Sequence, residues 1–466
     1  MTSPPHTSPT SAPKTSQHNE SRQNPPPPLA TSLAGRHIAM ISLGGVMGAG
    51  LFVGASGAIV TAGPAVLFSY ALSAILVLLI NLLLRDVALH APGSGSFLNQ
   101  IRTNLGLRLG FVAGWSYWLL WVVTLAIEVM AAATLLEPWV PLPYAMRETL
   151  VLGSMTALNL LPVRNYGEFE YGFSCIKILA LTVFIGVSFV LLYHYNVPVQ
   201  ANLMASGSLL PHGLTGVLAA VPTALFSMSG TEIATIAALE SGAPDANVIR
   251  TTRTVAFRLV IFYLLSIALI LCLVPWTHIR QGESPFLYVL QTFHIPFAAS
   301  AMTLVILIAT LSTLNSGLYT TSRVLFEMAG RRDAPRYFLR TQPKTRLPVT
   351  SVLACSLAAL VVSICAVVSP GAVFAFLVST TGAIIMFNNG LMVFSRMRVC
   401  RIALWRPWLA LVLLTLVILS MLALPDTRKE LLLGAAGLAI ISIAAFVVIP
   451  GKRPRLSHIL RDQQPD

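Results

Sequence analysis

Three ionisable residues, Glu128, Lys177 and Glu232, lie inside long apolar stretches of the chain, where a charge is costly. On scales of membrane insertion, a charge at the centre of a helix costs roughly 2.5–3.5 kcal/mol. Each of these side chains is therefore expected to face the interior of a helix bundle, or to exchange a proton and become neutral. Two roles are open for each of them: a polar lock between neighbouring helices, or a proton-binding group.

Two short segments interrupt apolar stretches with residues that weaken a helix. Residues 44–54 read GGVMGAGLFVG, and residues 226–232 read FSMSGTE. A glycine in a helix interior costs about 1 kcal/mol relative to alanine, so the five glycines of the first segment predict an unwound stretch. The alternative is close packing of helices through small residues, which a single GxxxG motif would favour.

Paired interruptions at equivalent places in two halves of a membrane protein indicate a central binding site. Unwinding a helix in mid-membrane frees N–H and C=O groups, which is tolerated only where protein or water surrounds them. Free N–H groups at the start of a half-helix attract an anion, and free carbonyls at the end of another attract a cation. A ligand with both a carboxylate and an ammonium group, such as an amino acid, fits this arrangement.

The elements that must position these residues are membrane helices. Only 10% of the 466 residues are charged, 55% are hydrophobic, and the mean hydropathy is +0.77, whereas a soluble protein carries about 25% charged residues. We predict an all-α integral membrane protein with twelve transmembrane helices. The predicted spans are residues 38–60, 67–84, 109–136, 146–161, 168–192, 216–239, 256–275, 297–322, 350–368, 371–395, 406–424 and 430–450.

The distribution of basic residues predicts how the spans are oriented. With the N-terminus in the cytoplasm, 25 Lys and Arg residues lie in cytoplasmic segments and 4 in external ones. Because basic residues accumulate on the cytoplasmic side, both termini are expected there. The net charge of +13 is spread over short loops, which argues against a nucleic-acid-binding protein.

The two ends of the chain differ in composition from the rest. Residues 1–36 are rich in Ser, Thr and Pro and are expected to form a disordered cytoplasmic tail, with no apolar core that would make a signal peptide. Residues 37–450 hold the twelve helices, and residues 451–466 form a second cytoplasmic tail.

Other chemistry has little support in the sequence. The cysteines and histidines show neither a disulfide framework nor metal-ligand spacing, and there is no Walker A loop. We therefore expect no cofactor, no metal and no enzyme activity. Glu168 and Glu170 are expected to form the solvated start of span five, where carboxylates interact favourably with the helix dipole.

Six motifs together resemble bacterial amino-acid permeases of the amino acid/polyamine/organocation superfamily, in its amino-acid transporter branch, and GABA permeases most closely. The resemblance covers about residues 33–450. It implies a five-plus-five inverted repeat like that of the leucine transporter, with two added C-terminal helices, and import of a small amino acid, GABA (4-aminobutyrate) above all, with a proton across the inner membrane. The motifs are GGVMGAGLFVG (44–54), AGPAV (62–66), GWSYWLLW (114–121), NYGEFEY (165–171), FSMSGTEIATIAALES (226–241) and NSGLYTTSR (315–323).

The same resemblance implies positions for the substrate. Backbone N–H groups of Ala49 and Gly50 would bind the carboxylate, and carbonyls of Val46, Phe226 and Ser229 would receive the amine. The Phe226 ring would cover the site as an aromatic lid. No other small-molecule partner is implied, and the sequence does not indicate an oligomeric state.

Proton coupling is expected at the buried lysine. In proton-driven members of the superfamily a fifth-span lysine resembles Lys177, and its ammonium takes the place of a sodium ion. Ser312 and Asn315 on span eight would be its neighbours, and Glu232 would link proton binding to helix closure.

The chain departs from the family pattern in three places that bear on its substrate and loops. Met228 stands where an aromatic residue is usual, Ser229 where glycine is common, and Asp86 where a glutamate is usual. Alternatives are therefore an importer of another neutral or aromatic amino acid, or an amino-acid exchanger. A channel or receptor built on the same fold is a further alternative.

Overall fold

The computed structural model describes residues 47–90, 96–161, 163–231, 259–343, 346–364 and 370–449. Within these ranges every regular element is helical. The two predicted tails lie outside the described residues.

The described helices follow the order of the predicted spans. Short 3-10 helices occupy Gly63–Ala65, Trp276–His278 and Arg336–Leu339, and a π-helical turn, Leu259–Leu265, precedes α11. The α-helices are α1 Ala49–Phe52, α2 Ala55–Ala62, α3 Val66–His90, α4 Phe97–Leu105, α5 Leu107–Leu135, α6 Tyr144–Asn159, α7 Val163–His194, α8 Val199–Leu203, α9 Gly213–Ala219, α10 Val221–Ser227, α11 Ser266–Leu273, α12 Pro285–Thr292, α13 Ala298–Gly330, α14 Val349–Ile364, α15 Pro370–Val399, α16 Trp405–Ala423 and α17 Pro425–Val448.

The lengths of these helices match a membrane fold. In the described part of the chain, seven helical stretches are long and apolar enough to cross a membrane, and one of them, Ala49–Val87, covers the second half of predicted span one and all of span two. Three shorter apolar stretches, Gly213–Ser227, Ile261–Leu273 and Val349–Ile364, coincide with predicted spans six, seven and nine. The all-helical membrane fold is confirmed, and the total of twelve spans stays a prediction.

Three long helices form the centre of the bundle. In the apolar windows of α5 and α15, 78% and 72% of the residues are buried, against 11% for α17. The third central helix, α13, approaches α5 through glycines. A Cβ on Gly114 would lie 2.8 Å from Met328 Sδ, and one on Gly317 would lie 2.7 Å from Leu125 Cδ2. Small residues at these contacts let the helices approach closely, as is typical of membrane bundles.

Two helices are interrupted where the sequence predicts it. Gly48 is extended, with φ −125° and ψ −151°, and α1 begins only at Ala49. α10 ends at Ser227, and Gly230 follows with φ +87°, a conformation that favours glycine. In the described residues, each helix is thus broken within the segment where the sequence predicts an interruption.

Candidate functional site

The first interrupted segment holds a carboxylate that the protein itself supplies. The N–H of Ala49 donates to both oxygens of Glu128, at 3.1 and 3.0 Å. Glu128 projects from the central helix α5 and is 2% exposed. Gly48 leaves room for this contact, because a Cβ there would collide with Glu128 Oε1 and Thr313 Oγ1. The sequence predicts the Ala49 N–H as a donor to a ligand carboxylate. In the structure this N–H donates to the carboxylate of Glu128 instead.

The two interrupted segments touch each other at Gly50. A Cβ on Gly50 would lie 2.8 Å from Ser227 Cα and 3.2 Å from Phe226 Cε1. Phe226 is buried, with its ring against the Gly50 backbone. Two residues predicted for one site from distant parts of the chain, Gly50 and Phe226, are therefore neighbours.

The second interrupted segment already uses two of its carbonyl groups. The Phe226 carbonyl accepts from the N–H of Ser229 at 3.0 Å, and the Ser227 carbonyl accepts from the hydroxyl of Tyr263 at 2.8 Å. A carbonyl oxygen has a second lone pair, so each can accept one further donor. Tyr263 was not predicted, because a single tyrosine in an apolar span carries no signal in the sequence.

Cavities of different size border the interrupted segments. One of about 60 Å³ is lined by Met228 and Ser229 of the second segment, together with Asn81, Tyr117 and Asn388. Asn388 accepts from Ser116 at 2.6 Å through Oδ1, while its buried Nδ2 has no hydrogen-bond partner among the described residues. This cavity therefore offers an amide group next to the predicted amine-binding carbonyls.

A second cavity, of about 290 Å³, lies at the C-terminal end of α1. Val53, which follows Gly50, contributes to its wall. The other walls are formed by the ends of α5, α12 and α15 and include Thr134, Ser284 and Phe374. Neither of these two cavities is lined by Gly48, Ala49 or Phe226.

A buried polar cluster surrounds Lys177. Lys177 is fully buried, and its Nζ donates to Ser312 Oγ at 2.7 Å. The Ser312 hydroxyl donates in turn to Glu170 Oε1. Asn315 Nδ2 donates to Glu170 Oε2 at 3.4 Å, and Asn159 Nδ2 donates to Asn315 Oδ1 at 2.9 Å. The three predicted residues, Lys177, Ser312 and Asn315, are thus brought together, and Glu170 joins them.

The expectation for Glu170 was wrong. The helix begins at Val163, seven residues earlier, so Glu170 lies well inside α7 and is fully buried. Glu168 remains exposed, as expected. Glu170 and Lys177 are seven residues apart, which is about two helical turns and places them on one face. This spacing is the signal in the sequence that could have identified Glu170.

Two predicted site residues, Val46 and Glu232, lie outside the described residues. Among those that are described, no three His, Cys, Asp or Glu side chains are grouped to hold a metal ion. The geometry therefore consists of a carboxylate-binding helix start, a contact between two interrupted helices and a buried ionic cluster.

Residues 37–449 match the family model described as "Amino acid permease". The chain is 35% identical to the gamma-aminobutyric acid permease of Bacillus subtilis, over 94% of this chain and 98% of that protein. It is 33% identical to the aromatic amino acid transport protein AroP of Escherichia coli K12, over 79% and 82% of the two chains.

The fold also has a counterpart among solved structures. A manganese transporter of Eremococcus coleocola superposes with a TM-score of 0.54 at 14% identity, covering 92% of this chain and 97% of that one. At that identity the likeness concerns the fold alone.

Proposed function

The chain belongs to the amino acid permease family, and from this premise we propose that it imports 4-aminobutyrate (GABA) together with a proton across the cytoplasmic membrane. The observation that carries the choice of substrate is the similarity to a GABA permease over nearly all of both chains. The similarity to the aromatic transporter covers less of each chain.

The proposed binding mode uses the two interrupted helices. The N–H groups of Ala49 and Gly50 bind the substrate carboxylate, and the carbonyls of Val46, Phe226 and Ser229 receive the amine. The contact between Ala49 and Glu128 supports this mode, because that N–H already binds a carboxylate. The substrate carboxylate then takes the place of the Glu128 carboxylate.

Proton coupling is proposed at the cluster of Lys177, Ser312 and Asn315, with Glu232 linking it to closure of the second interrupted helix. Helix α13 supports this assignment, because it contacts both regions with adjacent residues. Ser312 bonds Lys177 at 2.7 Å, and Thr313 lies against Gly48 at the start of α1. A change of charge in the cluster therefore acts on a helix that also touches the substrate site.

Import of an aromatic amino acid is the second candidate, and the similarity to AroP favours it. Met228 lines the cavity of about 60 Å³. Its shape bears on whether GABA or an aromatic amino acid is the substrate. A flexible methionine accommodates several side chains, so a direct comparison of substrates must decide.

Uptake into liposomes tests the proposed function. Purified protein is given labelled GABA with the interior alkaline, sodium absent and the membrane potential held at zero. We expect GABA to accumulate above its external concentration, and unlabelled GABA to compete better than any of the twenty standard amino acids.

Other outcomes would each support a different reading. Stronger competition by phenylalanine, tyrosine or tryptophan would identify an aromatic amino acid transporter. Stronger competition by arginine or a polyamine would contradict a zwitterionic substrate. Uptake that requires preloaded amino acid and ignores the pH gradient would identify an exchanger.

A further inference from the structure

Glu170 is a buried carboxylate to which neither the family comparison nor the substrate site assigns a role. It is fully buried, and the hydroxyl of Ser312 connects it to the buried ammonium of Lys177. We infer that Glu170 is the group that gains and loses the transported proton, and that Lys177 is its fixed counter-charge. This inference rests on the proposed proton coupling and names the group that performs it.

The charges of the cluster favour a mobile proton on the carboxylate. Lys177 interacts electrostatically with Glu170 on its own helix and with Glu128 on α5. If Lys177 lost its proton, two buried carboxylates would be left without their cation. If Glu170 gains a proton, one cation and one carboxylate remain. Since an unpaired buried charge is strongly destabilising, adding a proton to Glu170 disturbs the cluster less than removing one from Lys177.

The hydrogen bond between Glu170 and Ser312 can persist in both protonation states of Glu170. In the ionised state the Ser312 hydroxyl donates to Oε1, while Ser312 Oγ accepts from Lys177. In the protonated state the Glu170 O–H donates to Ser312 Oγ, which has two lone pairs and keeps its bond from Lys177. Glu128 is held by the Ala49 N–H, which can only donate. The hydroxyl beside Glu170 can reverse its role, and the N–H beside Glu128 cannot.

The proton balance of one cycle is simple. A proton from external water forms an O–H bond at the Glu170 carboxylate, and that bond breaks when the proton passes to cytoplasmic water. Lys177 stays an ammonium and Ser312 an alcohol throughout. Glu170 lies seven residues closer than Lys177 to the start of α7, which is about 10 Å along the helix. With the N-terminus in the cytoplasm, that start is the cytoplasmic end, where the proton must leave.

The same charges connect the proton to the substrate. While Glu170 is ionised, two carboxylates share Lys177. Once Glu170 is protonated, Lys177 attracts Glu128 alone. This attraction weakens the hydrogen bond that Glu128 accepts from the Ala49 N–H. That N–H becomes available to the substrate carboxylate, so the proton binds before GABA.

The groups facing Glu170 are mostly neutral. From α13 it faces Ser312, Asn315 and Ser316, and from α6 it faces Asn159 through Asn315. From α5, Glu128 acts through Lys177. The titratable residues of the segment Leu259–Leu273, which also packs on α7, are Tyr263, bonded to Ser227, and Cys272.

The variant Glu170→Gln tests the inference, with Glu168→Gln as the matched control. The amide keeps the size of the protonated side chain and cannot titrate, and Glu168 is an exposed carboxylate two residues away on the same helix. With one proton per substrate, a gradient of one pH unit supports about tenfold accumulation, since each unit is worth about 1.4 kcal/mol. We expect wild type and Glu168→Gln to reach that ratio, and Glu170→Gln to stop at equal concentrations.

A second readout separates coupling from a structural role. Counterflow of labelled GABA, with equal pH on both sides, should persist in Glu170→Gln with a KM that no longer varies with pH, while the wild-type KM rises with pH. Proton-driven accumulation by Glu170→Gln would overturn the inference, as would a folded Glu170→Gln protein with no counterflow at any pH.

Two further results keep the assignment falsifiable. If Glu170→Gln does not fold, Glu170→Asp provides the test. Because this variant retains a carboxylate, it should still accumulate GABA in response to a pH gradient. A folded Glu170→Asp protein without such coupling would overturn the inference. A wild-type protein that never responds to the pH gradient would instead contradict the proposed function itself.

Discussion

Gly50 is the residue at which the two interrupted helices meet, and its missing side chain is what allows the contact. A Cβ there would lie 2.8 Å from the Ser227 backbone, which cannot move aside as a flexible side chain can. We predict that Gly50→Val abolishes GABA uptake while the protein still reaches the membrane. The β-branched side chain would separate α1 from α10 and cover the N–H groups proposed for the carboxylate.

The matched control for this variant is Gly186→Val, since Gly186 is exposed on α7 and a Cβ there meets nothing within 4 Å. It should transport at close to the wild-type rate. Uptake in membrane vesicles, normalised to the amount of protein in the membrane, makes the comparison. Normal uptake by Gly50→Val would remove the proposed role of the glycine segment.

Lys177 gives a second prediction at the scale of a residue. Replacing it with methionine leaves a side chain of similar length without the cation that Glu170 and Glu128 share. We predict that Lys177→Met loses uphill uptake driven by a pH gradient and retains some exchange of GABA. Liposome uptake without sodium measures both, and accumulation near the wild-type level would leave Lys177 only a structural role.

At the scale of elements, α13 is the helix that joins the two functional regions. Its neighbouring residues Ser312 and Thr313 face different partners: Ser312 bonds Lys177 and Glu170 of α7, and Thr313 lies beside Gly48 and Glu128. Consecutive residues on a helix point about 100° apart. A single helix therefore contacts the proposed proton site and the proposed substrate site through different residues.

The ends of α3 and α15 are held together by a buried ion pair. Arg396 is 1% exposed, and its guanidinium donates to Asp86 at 3.1 Å and to the Cys400 carbonyl at 2.8 Å. Removing one partner of a buried pair costs about 3–5 kcal/mol, because the other charge stays buried. Arg85 and Arg406, which lie 3.3 and 3.8 Å from Asp86, offset part of that cost. We expect Arg396→Met to lose about 3 kcal/mol of stability, the lower end of this range.

Thermal unfolding of the purified protein in detergent measures this effect as a lower Tm. The control is Arg398→Met, because the exposed Arg398 lies two residues further along α15 and donates only to the Asn104 carbonyl in the described structure. Its Tm should stay near that of the wild type. Equal unfolding temperatures for the two variants would show that the pair with Asp86 does not stabilise the fold.

At the scale of the whole molecule, burial decreases from the centre outward. The apolar windows of α5 and α15 are mostly buried, whereas those of the last two helices, α16 and α17, are 33% and 11% buried. The outer helices therefore expose apolar side chains to lipid, whereas Lys177 and Glu170 of α7, whose apolar window is 28% buried, are themselves fully buried. This arrangement keeps the ionic groups away from the hydrocarbon, where they would be costly.

Orientation in the membrane is the prediction that belongs to this scale. The excess of basic residues on one side predicts cytoplasmic termini. Alkaline phosphatase fused after Asp466 should therefore be inactive, and a fluorescent protein at that position should fluoresce. Alkaline phosphatase inserted into the loop 136–143, between α5 and α6, should be active. Activity in the opposite pattern would contradict both the orientation and the cytoplasmic proton exit through Glu170.

The sequence alone determined the helical membrane fold and the places where two helices are interrupted. Both properties depend on local composition: apolar length decides whether a segment enters a membrane, and glycines decide where its helix weakens. Lys177 was identified in the same way, since a charge in an apolar span is conspicuous wherever the span packs.

The partners of these residues were decided only by the tertiary structure. Ala49 bonds Glu128, 79 residues away, and Glu170 bonds Ser312, 142 residues away. Apart from its seven-residue spacing from Lys177, nothing local distinguishes Glu170 from the exposed Glu168, because burial depends on which face of α7 meets α13. Helices in a membrane pack through close contacts between small and polar residues, and those contacts form only when the whole bundle is assembled.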